Sequence, residues 1–174
     1  MKNEYTLFKH MSLRGLDNLE HLLLKAEEFV RAQNQSDSIV LEAKIAQDML
    51  PFKDHVQIFT DGAKGAISTF AQIEKPKYED NEKTIVELID RVKKTRLFIQ
   101  GIDDTQFDNT KNVQIRMSFL PGKYYTSEVF VQDLAIQGTF FHLTIAYAIL
   151  RHIGVKIGMK DYLGEAPMMD DEKQ

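Results

Sequence analysis

The chain has no cysteine. Disulfides, thiolate nucleophiles and zinc sites built on cysteine are therefore excluded. It also lacks an excess of positive charge: 22 Lys and Arg stand against 26 Asp and Glu, a formal net charge of −4. A basic surface that would hold nucleic acid is not expected, and no nucleic-acid partner is read. The N-terminal "MKNEYTLFKHMSLRG" has no apolar core followed by a cleavage site. The most apolar window, Phe140 to Leu150, is interrupted by His142 and Thr144 and reads as too short to span a bilayer. No membrane partner is expected, and a cytoplasmic location follows from the want of any other address. Internal repeats and low-complexity linkers are missing too.

What remains is an ordinary soluble composition, 43% hydrophobic and 28% charged over 174 residues. A chain of this length can bury a core that needs no covalent staple. The expectation is a single domain over residues 1–164 and a flexible tail over 165–174, ending in the polar "DDEKQ".

Four helical patterns organise the domain, which places it in the all-α class. In the first, from about Tyr5 to Gln33, Leu16, Leu19, Leu23, Ala26 and Val30 recur at steps of three and four. "NQSDS" interrupts it with turn residues. The second, from about Ile39 to Ile73, contains Pro51, which predicts a kink or a break near "DMLPF". Beyond it Phe52, Val56, Phe59, Ala63, Ile67 and Phe70 share an arc. "KPKYEDNEK" reads as a loop in which Asp80 or Asn81 caps the third helix, Glu82 to Gln100. Ile85, Leu88, Ile89, Val92 and Ile99 form that helix's stripe, and Gly101 stands at its end. The stretch from Ile102 to Thr126 is too long for a simple loop. "VQIRMSF" alternates with period two, "LPGK" supplies a turn, and "YYTS" can return as a strand, so a small β-hairpin is predicted on a long crossover. The fourth helix runs from about Ser127 to Ile153, before Gly154.

The histidines carry the first candidate site. At about 100° per residue, Ala135, Gly138, Ala146, Ile149 and Ile153 cluster with His142, while Asp133, Gln137, Thr144 and Arg151 lie opposite. His142 is thereby placed at the centre of the buried face. A buried imidazole needs hydrogen-bond partners, so it is either a core histidine tied to another helix or a contact for a ligand or metal. His152 lies about 15 Å further along and turned away, and cannot share a metal with His142 on one straight helix. It suits a helix C-terminus electrostatically, or a contact with Asp161 or Tyr162. His10 and His21 read as surface residues. His55, on the second helix, faces either solvent or the bundle.

A second constellation lies in "HVQIFTDGAKGA". Asp54, Gln57, Asp61 and Lys64 fall at i, i+3, i+7 and i+10 and share a helix face. That face is either solvated, with an Asp61–Lys64 pair of little energetic consequence, or part of a ligand site. Gly62 and Gly65 beside it are unfavourable in a helix and imply a close approach by a backbone or ligand. A dimer contact or the packed C-terminal segment would supply one.

The segments "DMLPF", "VQIFTDGAKGA", "P-x-Y-E-D-N-E-x-T" and "FFHLTIAYAILRHIGVKIGMKDYLG" together resemble the DUF1993 family, from the first helix to Gly164. The matching motif residues are Asp48, Pro51, Gln57, Asp61, Lys64, His142, His152, Asp161 and Tyr162. The family is grouped with the DinB/YfiT-like superfamily of metalloenzymes. The resemblance implies a DinB-like four-helix bundle with a long crossover between helices three and four. DinB-like proteins present one histidine on the second helix and an H-x-x-x-H pair on the fourth. Here Ala146 stands where the second histidine of that pair would be.

These readings give a small-molecule-binding relative without a metal, with His142, Gln57, Asp61, Lys64 and Tyr162 as candidate ligand contacts. One alternative is a hydrolase or transferase using a divalent metal (Zn, Ni, Mn or Fe) on His142 and His55, joined by carboxylates such as Asp61 or Asp48. The other is a homodimeric interaction protein formed through the glycine-bearing face.

Overall fold

The computed structural model describes residues 3–117 and 120–165. Helix α1, Glu4–Ala32, starts at Asn3, whose side chain accepts a hydrogen bond from the Thr6 amide. It turns Leu16, Leu19, Leu23, Ala26 and Val30 into the core, all fully buried, as the stripe predicted. A four-residue helix α2, Ser38–Leu41, follows. The chain then breaks rather than kinks at Pro51, which sits extended as the N-cap of α3, Phe52–Phe70. Proline has no amide hydrogen to lose at a helix start. Helix α4, Ile85–Gln100, begins three residues later than the sequence suggested. Its cap is Thr84, not Asp80 or Asn81: Thr84 and Glu87 close a reciprocal capping box. Such a cap contributes about 1 kcal/mol. Asp37 reinforces the same end from afar, since one carboxylate oxygen accepts from the Ile85 amide and the other from Arg31.

Two short 3-10 turns, Asp104–Phe107 and Thr110–Asn112, carry the crossover. The predicted hairpin is present in small: β1, Gln114–Ile115, pairs antiparallel with β2, Tyr125–Thr126. Ser118 and Phe119 of the predicted first strand lie outside the described residues. The last long helix is continuous over Ser127–His152. It comprises α5, Ser127–Val129, a π-helical stretch Phe130–Ile136, and α6, Gln137–His152. At 26 residues it is long and apolar enough, by length and composition alone, to cross a membrane; the sequence window judged too short covered only part of it. Here it lies along α3 and also touches α1. Gly154, at φ 98°, ends it. A five-residue helix α7, Met159–Leu163, closes the described chain.

The result is a four-helix bundle in which α3 packs chiefly on α6, and α1 chiefly on α4. The core between them is built on Phe8, Leu16, Phe52, Phe59, Ile67 and Ile85. The crossover separates α4 from α6, so the last two long helices are not hairpin neighbours. The tail expected over 165–174 lies outside the described residues beyond Glu165.

Candidate functional site

The break at Pro51 places His55 on the first turn of α3, facing inward. Its residue is only 3% exposed. Across the α3–α6 interface it meets His142, with the two Nδ1 atoms 3.0 Å apart and the rings tilted by 41°. The sequence placed His142 at the centre of α6's buried face; the structure corrects this. Thr139, Leu143, Ala146, Ile149 and Leu150 are the buried residues of α6, and His142 flanks them, half-buried. The apolar side chains take the deepest positions, and the imidazole sits at their edge with its ring edge-on to the exposed Phe141.

Both rings hold protons less readily than an ordinary histidine. Burial is the main cause for each. For His142 the neighbouring His55 adds to the effect. For His55 the Leu50 backbone and the Asp54 charge pull weakly the other way. The pair is therefore neutral at physiological pH. The His55 Nε2 is sealed from solvent and has no hydrogen-bond partner.

A catalytic zinc site takes three protein ligands. Position 146, four residues after His142, is a buried alanine. Among the described residues no group of three His, Asp or Glu side chains is placed to hold a metal ion. Asp61 and Lys64 belong to a separate cluster, and Asp48 is exposed on the α2–α3 connection. Two imidazoles without a third donor do not fit the three-histidine site that the superfamily implies.

The polar face of α3 is only partly solvated: Gln57 and Lys64 are buried, Asp54 and Asp61 half-buried. Lys64 is 1% exposed and pairs with Asp61. Burial lowers its proton affinity, against the pull of Asp61. The loop before α4 folds over this face as a strap, and Arg91 of α4, also buried, is the hub. Its Nε donates to Thr60 at 2.7 Å, its Nη2 to Asp61 at 2.7 Å and its Nη1 to Glu82 at 2.8 Å. Asp80 lies 2.9 Å from the same Nη1, and Gln57 donates to the other Glu82 oxygen at 2.7 Å. Burial alone would raise the Glu82 pKa, but Arg91 and Gln57 outweigh it and hold the carboxyl below its ordinary value. The Tyr78 ring, from the strap, is approached by Lys64 at 4.2 Å and Lys94 at 4.4 Å. Gln57, Asp61 and Lys64 thus come together with one another, and His142 is not among them.

Sequence reading missed Arg91, Thr60, Tyr78 and Glu82. The signal was there for Arg91: it sits three residues after Leu88 and beside Val92 on an apolar stripe, where an unpaired charge would be costly.

Gly62 is explained within the chain, since a Cβ there would lie 2.9 Å from the Thr139 hydroxyl oxygen. At Gly65 the near neighbour would be Lys75. Tyr162 lies on the far side of α6 from His142. Its hydroxyl bonds Thr144 at 2.9 Å, and its ring meets Tyr147. The partner of Asp161 is His21, at 2.7 Å, not His152; His21 lowers the Asp161 pKa. His152 is exposed in the last turn of α6.

Comparison with known proteins agrees with this architecture. The family model described as a domain of unknown function, DUF1993, matches residues 5–163. The crystal structure of a DinB family member from Shewanella denitrificans superposes with a TM-score of 0.90 at 34% identity, covering 95% of this chain and 94% of that one. No curated protein matches the chain.

Proposed function

The chain belongs to the DUF1993 family, and from that premise we propose that it is a DinB-like bundle that binds a small molecule at His142 without a metal. The observation carrying this reading is the 3.0 Å contact between the Nδ1 atoms of His55 and His142. In a neutral pair one Nδ1 donates and the other accepts. This reading takes His142 as the donor, with the proton of His55 on its buried Nε2. The His55 Nδ1 then accepts from the His142 Nδ1. The proton of His142 is spent on that bond, and its Nε2 is left with a lone pair. An uncharged acceptor at the rim of the bundle, beside the exposed Phe141, suits a ligand that offers an N–H or O–H group.

In this reading Gln57, Asp61 and Lys64 hold the strap in place, and Tyr162 holds α7. The competing reading is a hydrolase or transferase with a divalent metal on the two histidines. Elemental analysis separates them, on untagged protein incubated with Zn²⁺, Ni²⁺, Mn²⁺ or Fe²⁺, with His142→Ala as control. Metal well below one per chain, the same in both proteins, is expected. One metal per chain, lost in His142→Ala, would establish the metal reading instead.

A further inference from the structure

Helix α7 is seated on α1 by a polar ladder. Arg14, Asn18 and His21 stand at i, i+4 and i+7 and so share one face of α1. They meet the end of the chain in reverse order. The His21 Nε2 lies 2.7 Å from the Asp161 Oδ1, and the Asn18 amide donates to the Tyr162 carbonyl at 2.7 Å. Arg14 donates to the Leu163 carbonyl at 2.8 Å and to the Glu165 carbonyl at 3.1 Å. None of the five residues of α7 is buried. Its seat rests on this ladder, and on the hydroxyl bond from Tyr162 to Thr144 and its ring contact with Tyr147.

Asp161 serves both the helix and the seat. Its Oδ2 accepts from the Gly158 amide at 2.7 Å, which caps the start of α7, while its Oδ1 faces His21. His21 first, and the Gly158 amide second, hold this carboxyl below its ordinary range, so it is ionised throughout the neutral region. Of the three α1 contacts, Asn18 is neutral and Arg14 is always charged. Only His21 changes its charge near neutrality. The other charges around it are Asp17 and Lys25, one turn to either side on α1, which are bonded to Arg96 and Glu28. Lys25 also acts on Asp161 through space. Lys160 lies on α7, and Arg151 and His152 lie in the last turn of α6, with Arg151 bonded to the Ile157 carbonyl.

We propose that the His21–Asp161 contact is a proton-sensitive latch, which fixes α7 on α1 more firmly when His21 is charged. An imidazolium makes a charge-assisted bond to the carboxylate. A neutral ring keeps an ordinary hydrogen bond in one tautomer and turns a lone pair on the carboxylate in the other. Helix α7 therefore loosens as pH rises through the ordinary histidine range, around 6.5. The sign is opposite to that of the His55–His142 pair, whose burial weakens the bundle as pH falls, so the two effects are separable.

The test is amide hydrogen exchange of the full chain at pH 6 and pH 8, with each rate divided by the intrinsic rate at that pH. Protection over Met159–Leu163 is expected to be about two- to fivefold higher at pH 6, the range of an exposed ion pair. The core amides of α1 and α3 should show no such rise. His21→Gln keeps a donor without the charge, and the dependence on pH should vanish. Asp161→Asn keeps an oxygen for the Gly158 amide and should abolish it as well; this variant also separates His21 from His152. A flat or reversed profile in the parent chain, or a dependence that persists in either variant, would overturn the latch.

Discussion

His55 and His142, 87 residues apart in sequence, meet through their Nδ1 atoms at 3.0 Å across the α3–α6 interface. The contact joins a buried ring to a half-buried one, and burial weakens the proton affinity of both. Its consequence for stability has a definite sign. An unfolded histidine titrates near 6.5, and the folded pair titrates below that. Between the two values the unfolded chain binds more protons, so stability falls as pH drops. Urea unfolding across this range is expected to show the loss beginning near pH 6.5, and a weaker loss in His142→Phe. Glu82 is held below its ordinary 4.5, so its contribution disappears only at still lower pH. A midpoint that stays flat down to pH 5 would contradict the neutral pair.

Arg91 joins α4 to α3 and the strap from a nearly solvent-free position. Arg91→Met leaves the largely buried Glu82 without its cationic partner, and removal of one member of a buried ion pair costs about 3–5 kcal/mol. Lys94→Met removes an exposed cation from the Tyr78 ring and costs about 0.5–1 kcal/mol. Chemical denaturation of the two variants side by side measures the difference. Equal losses would mean that the strap network is not what holds this face.

A Cβ added at Gly62 of α3 would press on the Thr139 hydroxyl of α6. Alanine is favoured over glycine inside a helix by about 1 kcal/mol. In the parent chain, Gly62→Ala is expected to forfeit that gain against the Thr139 hydroxyl. In a Thr139→Ala background it should recover it. A double-mutant cycle tests the coupling; strict additivity would show that the helices adjust freely at this crossing.

Gly164→Ala meets both a left-handed backbone and the Asn18 side chain. The expected outcome is release of α7, read as faster amide exchange over Met159–Leu163 with the protection of α1 and α3 unchanged. Protection lost throughout the bundle would instead make α7 part of the global folding unit.

The bundle was legible because its signal is local. The stripes on α1, α3 and α4 repeat within one or two turns, and each buried the residues it named. Period-two alternation likewise found the hairpin at Gln114–Ile115. What the wheel could not supply was the partner of each face. His142 was set too deep because periodicity gives a direction but not the position of the neighbouring helix, which centres the buried side on Leu143 and Ala146. The face of Asp61 and Lys64 read as either solvated or a ligand site because what covers it is a strap some 15–20 residues downstream. Asp80 and Asn81 read as caps because the helix was started at Glu82, and the reciprocal bond between Thr84 and Glu87 moves the start to Ile85.

The most direct measurement is the ¹⁵N spectrum of the two imidazoles at neutral pH, before and after one equivalent of Zn²⁺. The account predicts a protonated Nε2 on His55 and an unprotonated, pyridine-type Nε2 on His142, both unchanged by the metal. Two unprotonated Nδ1 atoms that shift together on adding zinc would contradict it, because the pair would then be a metal-binding edge and not a hydrogen-bonded one.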